Sequence, residues 1–209
     1  MNNDWAFVDI DTQYDFMMPD GQLYVPAAEI RIPNLKHLTE VAIQRGIPLF
    51  SSVDAHTPDD PEFEQFPPHC VAGTPGQRKI AETTGRKPLI VSDAPSAWKA
   101  VQQADADQII LEKRKFDIFS NPCADGLIAK MKGRKFVVYG VATDYCVKAA
   151  VLGLLKRGQA VLLVEDAVAA VAPQSGAAAL EAMHTCGAEL VTTDYILNAL
   201  GTLGLTARA

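Results

Sequence analysis

A chain of 209 residues, 48% hydrophobic and 21% charged, has ordinary globular composition and enough length to bury one large core. Its net charge of −6, with no basic run denser than Lys113-Arg114-Lys115, argues against a nucleic-acid or anionic-membrane partner, and no apolar stretch is long enough to span a bilayer. The four cysteines (Cys70, Cys123, Cys146, Cys186) lack CxxC spacing, so reduced thiols in a cytoplasmic protein are expected rather than disulfides.

Trp5-Ala6-Phe7-Val8-Asp9-Ile10 reads as a first strand running directly into Asp11. An acid at the end of a buried strand is costly unless it is paired or opens onto a crevice. After a Pro/Gly-punctuated loop from Met17 to Pro33, Leu35, Leu38 and Ala42 share a helix face that ends at Gly46. A second strand, Ile47–Val53, delivers Asp54-Ala55-His56. Residues 57–76 are rich in proline, acids and aromatics without a sustained period, and a loop of that length in a compact domain is expected to wall a site. Pro88–Val91 is read as a short strand, Ser96–Ala104 as a helix, and Gln108–Leu111 as a strand leading into Lys113. Asn121-Pro122 opens a helix by the cap-then-proline pattern.

Lys135–Tyr139 is a buried strand closed by Gly140, and Val147, Ala150, Val151, Leu154 and Leu155 then recur at helical spacing until Gly158. Cys146 therefore falls at a helix start, where unpaired N–H groups and the helix dipole favour a thiolate. A strand at Ala160–Val164, a helix near Ser175–Cys186 and a strand at Glu189–Thr192 complete the pattern. The alternation predicts an α/β fold: one domain over residues 1–209, a three-layer doubly wound sheet, mostly parallel, of about six strands with helices on both faces. Ligands of such sheets bind beyond the carboxyl ends of the strands, where Asp11, Asp54 with His56, Lys113 and Cys146 all lie.

Two constellations carry chemistry. A thiol (Cys146), a carboxylate (Asp11) and an ammonium (Lys113) supply the nucleophile, proton carrier and positive charge that acyl transfer needs, although sequence order does not prove that they meet. Asp54, His56 and His69 are suitable ligands for zinc, iron or manganese, yet a histidine alone is more often a hydrogen-bonded surface or core residue than a ligand. His37 and His184 lie in helical stretches and are read as structural. Three rival readings remain open: water activated by a metal beside a structural Cys146, a cysteine hydrolase acting on another carboxamide or a ureido compound, and a non-catalytic binding module.

Four segments together carry a resemblance: Asp11-Thr12-Gln13-Tyr14-Asp15-Phe16, Asp54-Ala55-His56, Phe66-Pro67-Pro68-His69-Cys70-Val71-Ala72-Gly73-Thr74-Pro75-Gly76, and Gly140-Val141-Ala142-Thr143-Asp144-Tyr145-Cys146-Val147. In this order, over roughly residues 5–192, the chain resembles the nicotinamidase/pyrazinamidase branch of the isochorismatase-like cysteine hydrolases. The resemblance implies a cytoplasmic amidohydrolase that deamidates nicotinamide for NAD salvage. Cys146 would be its nucleophile, Asp11 its base and then acid, and Lys113 the third member. It further implies a cis peptide at Val141-Ala142, with the N–H groups of Ala142 and Cys146 holding the oxyanion. One divalent metal, zinc foremost, would sit on Asp54, His56 and His69 and bind the pyridine nitrogen, and Gln13, Phe16, Phe66 and Tyr145 would surround the ring. Glu62 matches a fourth ligand used by some members, and as a bare residue it is equally a solvated acid with water in its place. Thr57 stands where others carry histidine, and Asp117 replaces a usual serine, leaving pocket polarity and substrate open. Members often self-associate, for which the apolar stretch Tyr195–Leu205 is a candidate surface.

Overall fold

The computed structural model describes residues 4–201. Its strands are β1 (Trp5–Ile10), β2 (Leu49–Asp54), β3 (Pro88–Val91), β4 (Gln108–Lys113), β5 (Lys135–Val141), β6 (Ala160–Ala169) and β7 (Glu189–Val191). Its helices are α1 (Tyr14–Met17), α2 (Ile32–Gln44), α3 (Trp98–Gln103), α4 (Ala124–Lys130), α5 (Lys148–Lys156), α6 (Pro173–Thr185) and α7 (Thr193–Ala199). One sheet of seven strands, in the order β3-β4-β2-β1-β5-β6-β7, is parallel throughout, one strand more than the sequence pattern predicts.

Alternation along each strand sends side chains to opposite faces, and both faces are covered. Val8 and Ile10 of β1 pack with Val101, Leu127, Val151 and Met183, which places α3, α4, α5 and α6 on one side. Phe7 packs with Met17, Leu35, Leu38 and Ile196, which places α1, α2 and α7 on the other. No helix among the described residues is long and apolar enough to cross a membrane.

The winding reverses between β1 and β5, so the crevice of this doubly wound sheet opens at their carboxyl ends. The four central strands β4, β2, β1 and β5 end in or just before Lys113, Asp54, Asp11 and the segment carrying Cys146. Adjacent strands lie about 4.8 Å apart, so four consecutive strand ends form a rail only a few side chains wide.

Several elements depart from the sequence reading. β6 runs on to Ala169 because Val168 and Ala169 pair with Gly140 and Val141 after a register shift, so Glu165 and Asp166 interrupt the apolar pattern without ending the strand. Helices α1 and α7 were not foreseen, each being too short to show a period. Of the apolar stretch Tyr195–Leu205, residues beyond 201 lie outside the described residues.

Gly140 is needed where β5 passes β1. Its φ is +119°, and a Cβ there would lie 2.1 Å from the backbone oxygen of Ile10. Gly140→Ala is expected to lower unfolding free energy by about 3 kcal/mol, read as a lower urea midpoint at unchanged m-value, because strand separation beside Asp11 has no room to widen.

Candidate active site

Asp11 follows β1 with φ +49°, a left-handed conformation that costs a non-glycine residue roughly 1–2 kcal/mol and turns the carboxylate into the crevice. Ser52 Oγ donates to its Oδ1 at 2.6 Å, and the Lys113 ammonium lies 2.8 Å from Oδ2. Lys113 Nζ also donates to Asp54 Oδ1 at 2.5 Å and to Cys146 Sγ at 3.6 Å. The Cα atoms of Asp54 and Lys113 are direct partners across β2 and β4, which sets this pairing. All five residues are buried.

Burial works against charge on Lys113, yet Asp11, Asp54 and Cys146 outweigh it and hold its pKa well above the ordinary lysine value. For Asp54, too, burial opposes charge, but Lys113 and then His56 prevail and its pKa falls. Asp11 ends above the ordinary carboxylate range, because burial and the Asp54 charge together exceed the pull of Lys113. Burial also pushes the Cys146 thiol well up, with Lys113 opposing and the Asp11 and Asp54 carboxylates adding to the rise. Cys146 lies in a π-helical turn, Thr143–Val147, ahead of α5, and the Val141–Ala142 peptide is cis. Burial and the neighbouring carboxylates thus oppose the thiolate that a helix start is expected to favour.

Asp54 points its other oxygen toward a second group. His56 Nε2 lies 3.8 Å from Asp54 Oδ2, and His56 Nδ1 lies 3.1 Å from Asp60 Oδ2. Neither ring nitrogen of this fully buried histidine makes an aligned hydrogen bond. His69 Nδ1 lies 2.8 Å from the Pro67 carbonyl, which requires the proton on Nδ1 and leaves the Nε2 lone pair facing inward, 3.9 Å from Glu62 Oε1. Burial lowers the His69 pKa. The ligand atoms of Asp54, His56 and His69 lie within 4.8 Å of one another. Converging lone pairs without hydrogen-bond partners fit a small divalent cation, with Asp60 orienting His56 from behind.

Between the two groups opens an apolar cavity lined by Phe16, Leu23, Val25, Asp54, Glu62, Phe66, His69, Phe116, Val141, Ala142, Tyr145, Cys146 and Val171. No arginine or lysine is among these residues. Phe66, Phe116 and Tyr145 stand edge to face in a mutual triangle, with centroids 5.3 to 6.2 Å apart. Loop 57–76 supplies Asp60, Glu62, Phe66 and His69 and is tied back where His56 N and Ala72 N donate to Cys70 O and His56 O.

Gln13 does not line this cavity, in contrast to its expected place around the ring. It is fully buried, and its amide grips both sides of the Asp54 residue: Nε2 donates to Asp54 O at 2.8 Å and Oε1 accepts from Asp54 N at 2.6 Å. The turn at Asp11 rotates the following side chains out of strand alternation, which sequence spacing does not report. Asp117 is exposed and caps a turn by accepting from Phe119 N at 2.9 Å, so it adds no charge to the cavity. His37 is exposed on α2, and His184 Nδ1 lies 3.1 Å from Ala188 O. Ser52, Asp60, Phe63, Phe116 and Val171 were missed. Of these only Phe116, three residues past Lys113, carried a usable positional signal, while Phe63 is revealed solely by its ring against His56 and His69.

Comparison with known proteins decides the family. The profile described as the isochorismatase domain matches residues 6–195. The chain belongs to the isochorismatase family. One relative within it, the nicotinamidase/pyrazinamidase of Mycobacterium tuberculosis, is 26% identical over 89% of this chain and 97% of its own. The crystal structure of Pyrococcus horikoshii pyrazinamidase in complex with zinc superposes with a TM-score of 0.76 at 26% identity, covering 90% of this chain and 99% of that one. The N-carbamoylsarcosine amidase of Thermoplasma acidophilum aligns at a TM-score of 0.70 and 25% identity, over 91% and 97% of the two chains. Family membership makes the chain an isochorismatase-like hydrolase.

Gln13→Leu is expected to cost about 2–3 kcal/mol in urea unfolding, since it strips partners from buried Asp54 N and O and from Gln77 O, to which Nε2 also donates.

Proposed function

We propose that this isochorismatase-family chain is a cytoplasmic cysteine amidohydrolase converting nicotinamide to nicotinate and ammonia. The observation that carries the reading is the placement of the Lys113 ammonium 2.8 Å from Asp11 and 3.6 Å from Cys146, with Cys146, Asp54 and His69 lining one apolar cavity. The zinc in the Pyrococcus relative supports the metal assignment, and four unpaired cysteines agree with a reducing compartment.

In the proposed reaction Asp11 takes the Cys146 Sγ proton as sulfur attacks the carboxamide carbon. Backbone N–H groups of Ala142 and Cys146 receive the oxyanion, with Lys113 fixing the orientation of Asp11. Asp11 returns the proton to the amine, the C–N bond breaks, and ammonia leaves a thioester. Asp11 then takes a proton from water, the water oxygen attacks, and the C–S bond breaks to give the acid and free thiol. Asp54, His56 and His69, with Glu62 as a fourth donor, would hold a divalent cation, zinc by their nitrogen and oxygen donors. When bound, the ion supplies a Lewis acid that holds the ring nitrogen of the substrate. Phe16, Phe66, Phe116 and Tyr145 enclose an aromatic ring. A cavity with acids and no arginine or lysine in its lining favours a neutral amide over the anionic ureido acid that N-carbamoylsarcosine represents.

Cys146→Ala is expected to lower ammonia release from nicotinamide by roughly 10⁴-fold or more while leaving fold and zinc content unchanged. Thiol alkylation should inactivate the native enzyme. Wild-type turnover by either the alanine variant or the alkylated protein would instead assign the chemistry to metal-bound water.

The base must be ionised to accept the thiol proton, so activity is present above the Asp11 pKa and lost below it. Because that pKa is raised, the acid limb of kcat/KM should lie above the ordinary carboxylate range, and Asp11→Asn should abolish turnover at every pH. Chelation should lower activity, with recovery on adding zinc back.

A further inference from the structure

One buried cluster plays no part in the reaction described above. Lys79, with its side chain 4% exposed, pairs with the fully buried Asp9, the penultimate residue of central strand β1. Asp9 is two residues before Asp11. The same ammonium donates to Thr12 Oγ1 and, at 3.1 Å, to Thr83 Oγ1. Thr12 Oγ1 lies 3.0 Å from Asp9 Oδ1, to which it donates, and 2.7 Å from Thr83 Oγ1. Backbone bonds run in parallel: Ile80 N donates to Thr12 O and Tyr14 N to Arg78 O, both at 2.9 Å.

Asp11 is thus flanked by Asp9 and Thr12, both fastened to one ammonium, while its own φ is +49°. A non-glycine residue left to itself leaves that conformation, which would swing the carboxylate away from Lys113 and Cys146. A buried ion pair is also a poor way to gain stability, because apolar residues of similar volume often do as well or better. The placement of a charged clamp on either side of one strained residue, at Asp9 and Thr12, is what a positional role requires.

We infer that Lys79, through Asp9 and Thr12, is a positioning residue that holds the base Asp11 in its left-handed turn. The inference rests on the proposed role of Asp11 and does not depend on the identity of the amide.

The test uses full-length protein and three variants. Lys79→Met alone would strand the Asp9 carboxylate and threaten folding, so the pair is neutralised together as Asp9→Asn/Lys79→Met. Thr12→Val removes the hydroxyl link and keeps the ion pair, and Thr12→Ser restores the hydroxyl. Activity is measured with nicotinamide, per active site titrated by thiol labelling, alongside the rate of Cys146 alkylation by iodoacetamide at fixed pH.

The expected result is a fall of about tenfold or more in kcat and in alkylation rate for the double variant and Thr12→Val, with KM within twofold and zinc content unchanged. Thr12→Ser should lie near wild type. A purely structural role would lower the melting temperature and the number of titratable sites without changing kcat per site, and that result overturns the inference. So does wild-type kcat in folded Thr12→Val, which decides alone if the double variant does not fold. Should the wild type not hydrolyse nicotinamide, the proposed substrate fails while the alkylation rates still judge the clamp.

Discussion

Lys113 keeps its charge inside the protein because two carboxylates face it, and the other parts of the site are arranged around that balance. Removing one partner of such a buried set typically costs about 3–5 kcal/mol, since an uncompensated charge is left behind. Neighbouring strand ends β4, β2 and β1 supply the ammonium, Asp54 and Asp11, so the spacing of a parallel sheet sets their separations. Asp54 joins the two halves of the site, with one oxygen on Lys113 and the other turned toward His56. Gln13 fixes the Asp54 backbone, and Ser52 fixes the Asp11 carboxylate.

The thiol shows how magnitudes decide between competing effects. A helix start offers a thiolate roughly 0.3–1 kcal/mol, and up to about 2 in favourable geometry. Full enclosure beside two carboxylates opposes it more strongly, and a π-helical turn stands where a regular first turn was expected. Burial and the two carboxylates thus work against the thiolate that the helix start would favour.

Much of this was legible in the amino-acid sequence. Strands buried on both faces leave apolar runs, and a charged or thiol residue directly after each run marks the rim, so the order of layers and the residues that meet there could be read from Asp11, Asp54, Lys113 and Cys146. What stayed hidden was set by partners distant in the chain. Asp9 looks like a flaw in an apolar strand until Lys79, 70 residues on, is seen against it. Gln13 occupies a motif position near the ring, and only the positive φ of Asp11 explains why it faces Asp54 instead. Asp117 replaces a serine of the family pattern, and its local cap to Phe119 N takes it away from the ring. Glu165 and Asp166 obscured the length of β6, which pairing with β5 alone determines.

The three rings at the cavity mouth come from separate connections: Phe66 from the long loop after β2, Phe116 from the segment after β4, and Tyr145 from the turn after β5. They touch one another by their edges. Because each ring sits on its own connection, a substitution that reshapes the cavity lining need not replace Asp11, Lys113 or Cys146. Descendants of such a scaffold are free to diverge in what they admit long before they diverge in the bond they break.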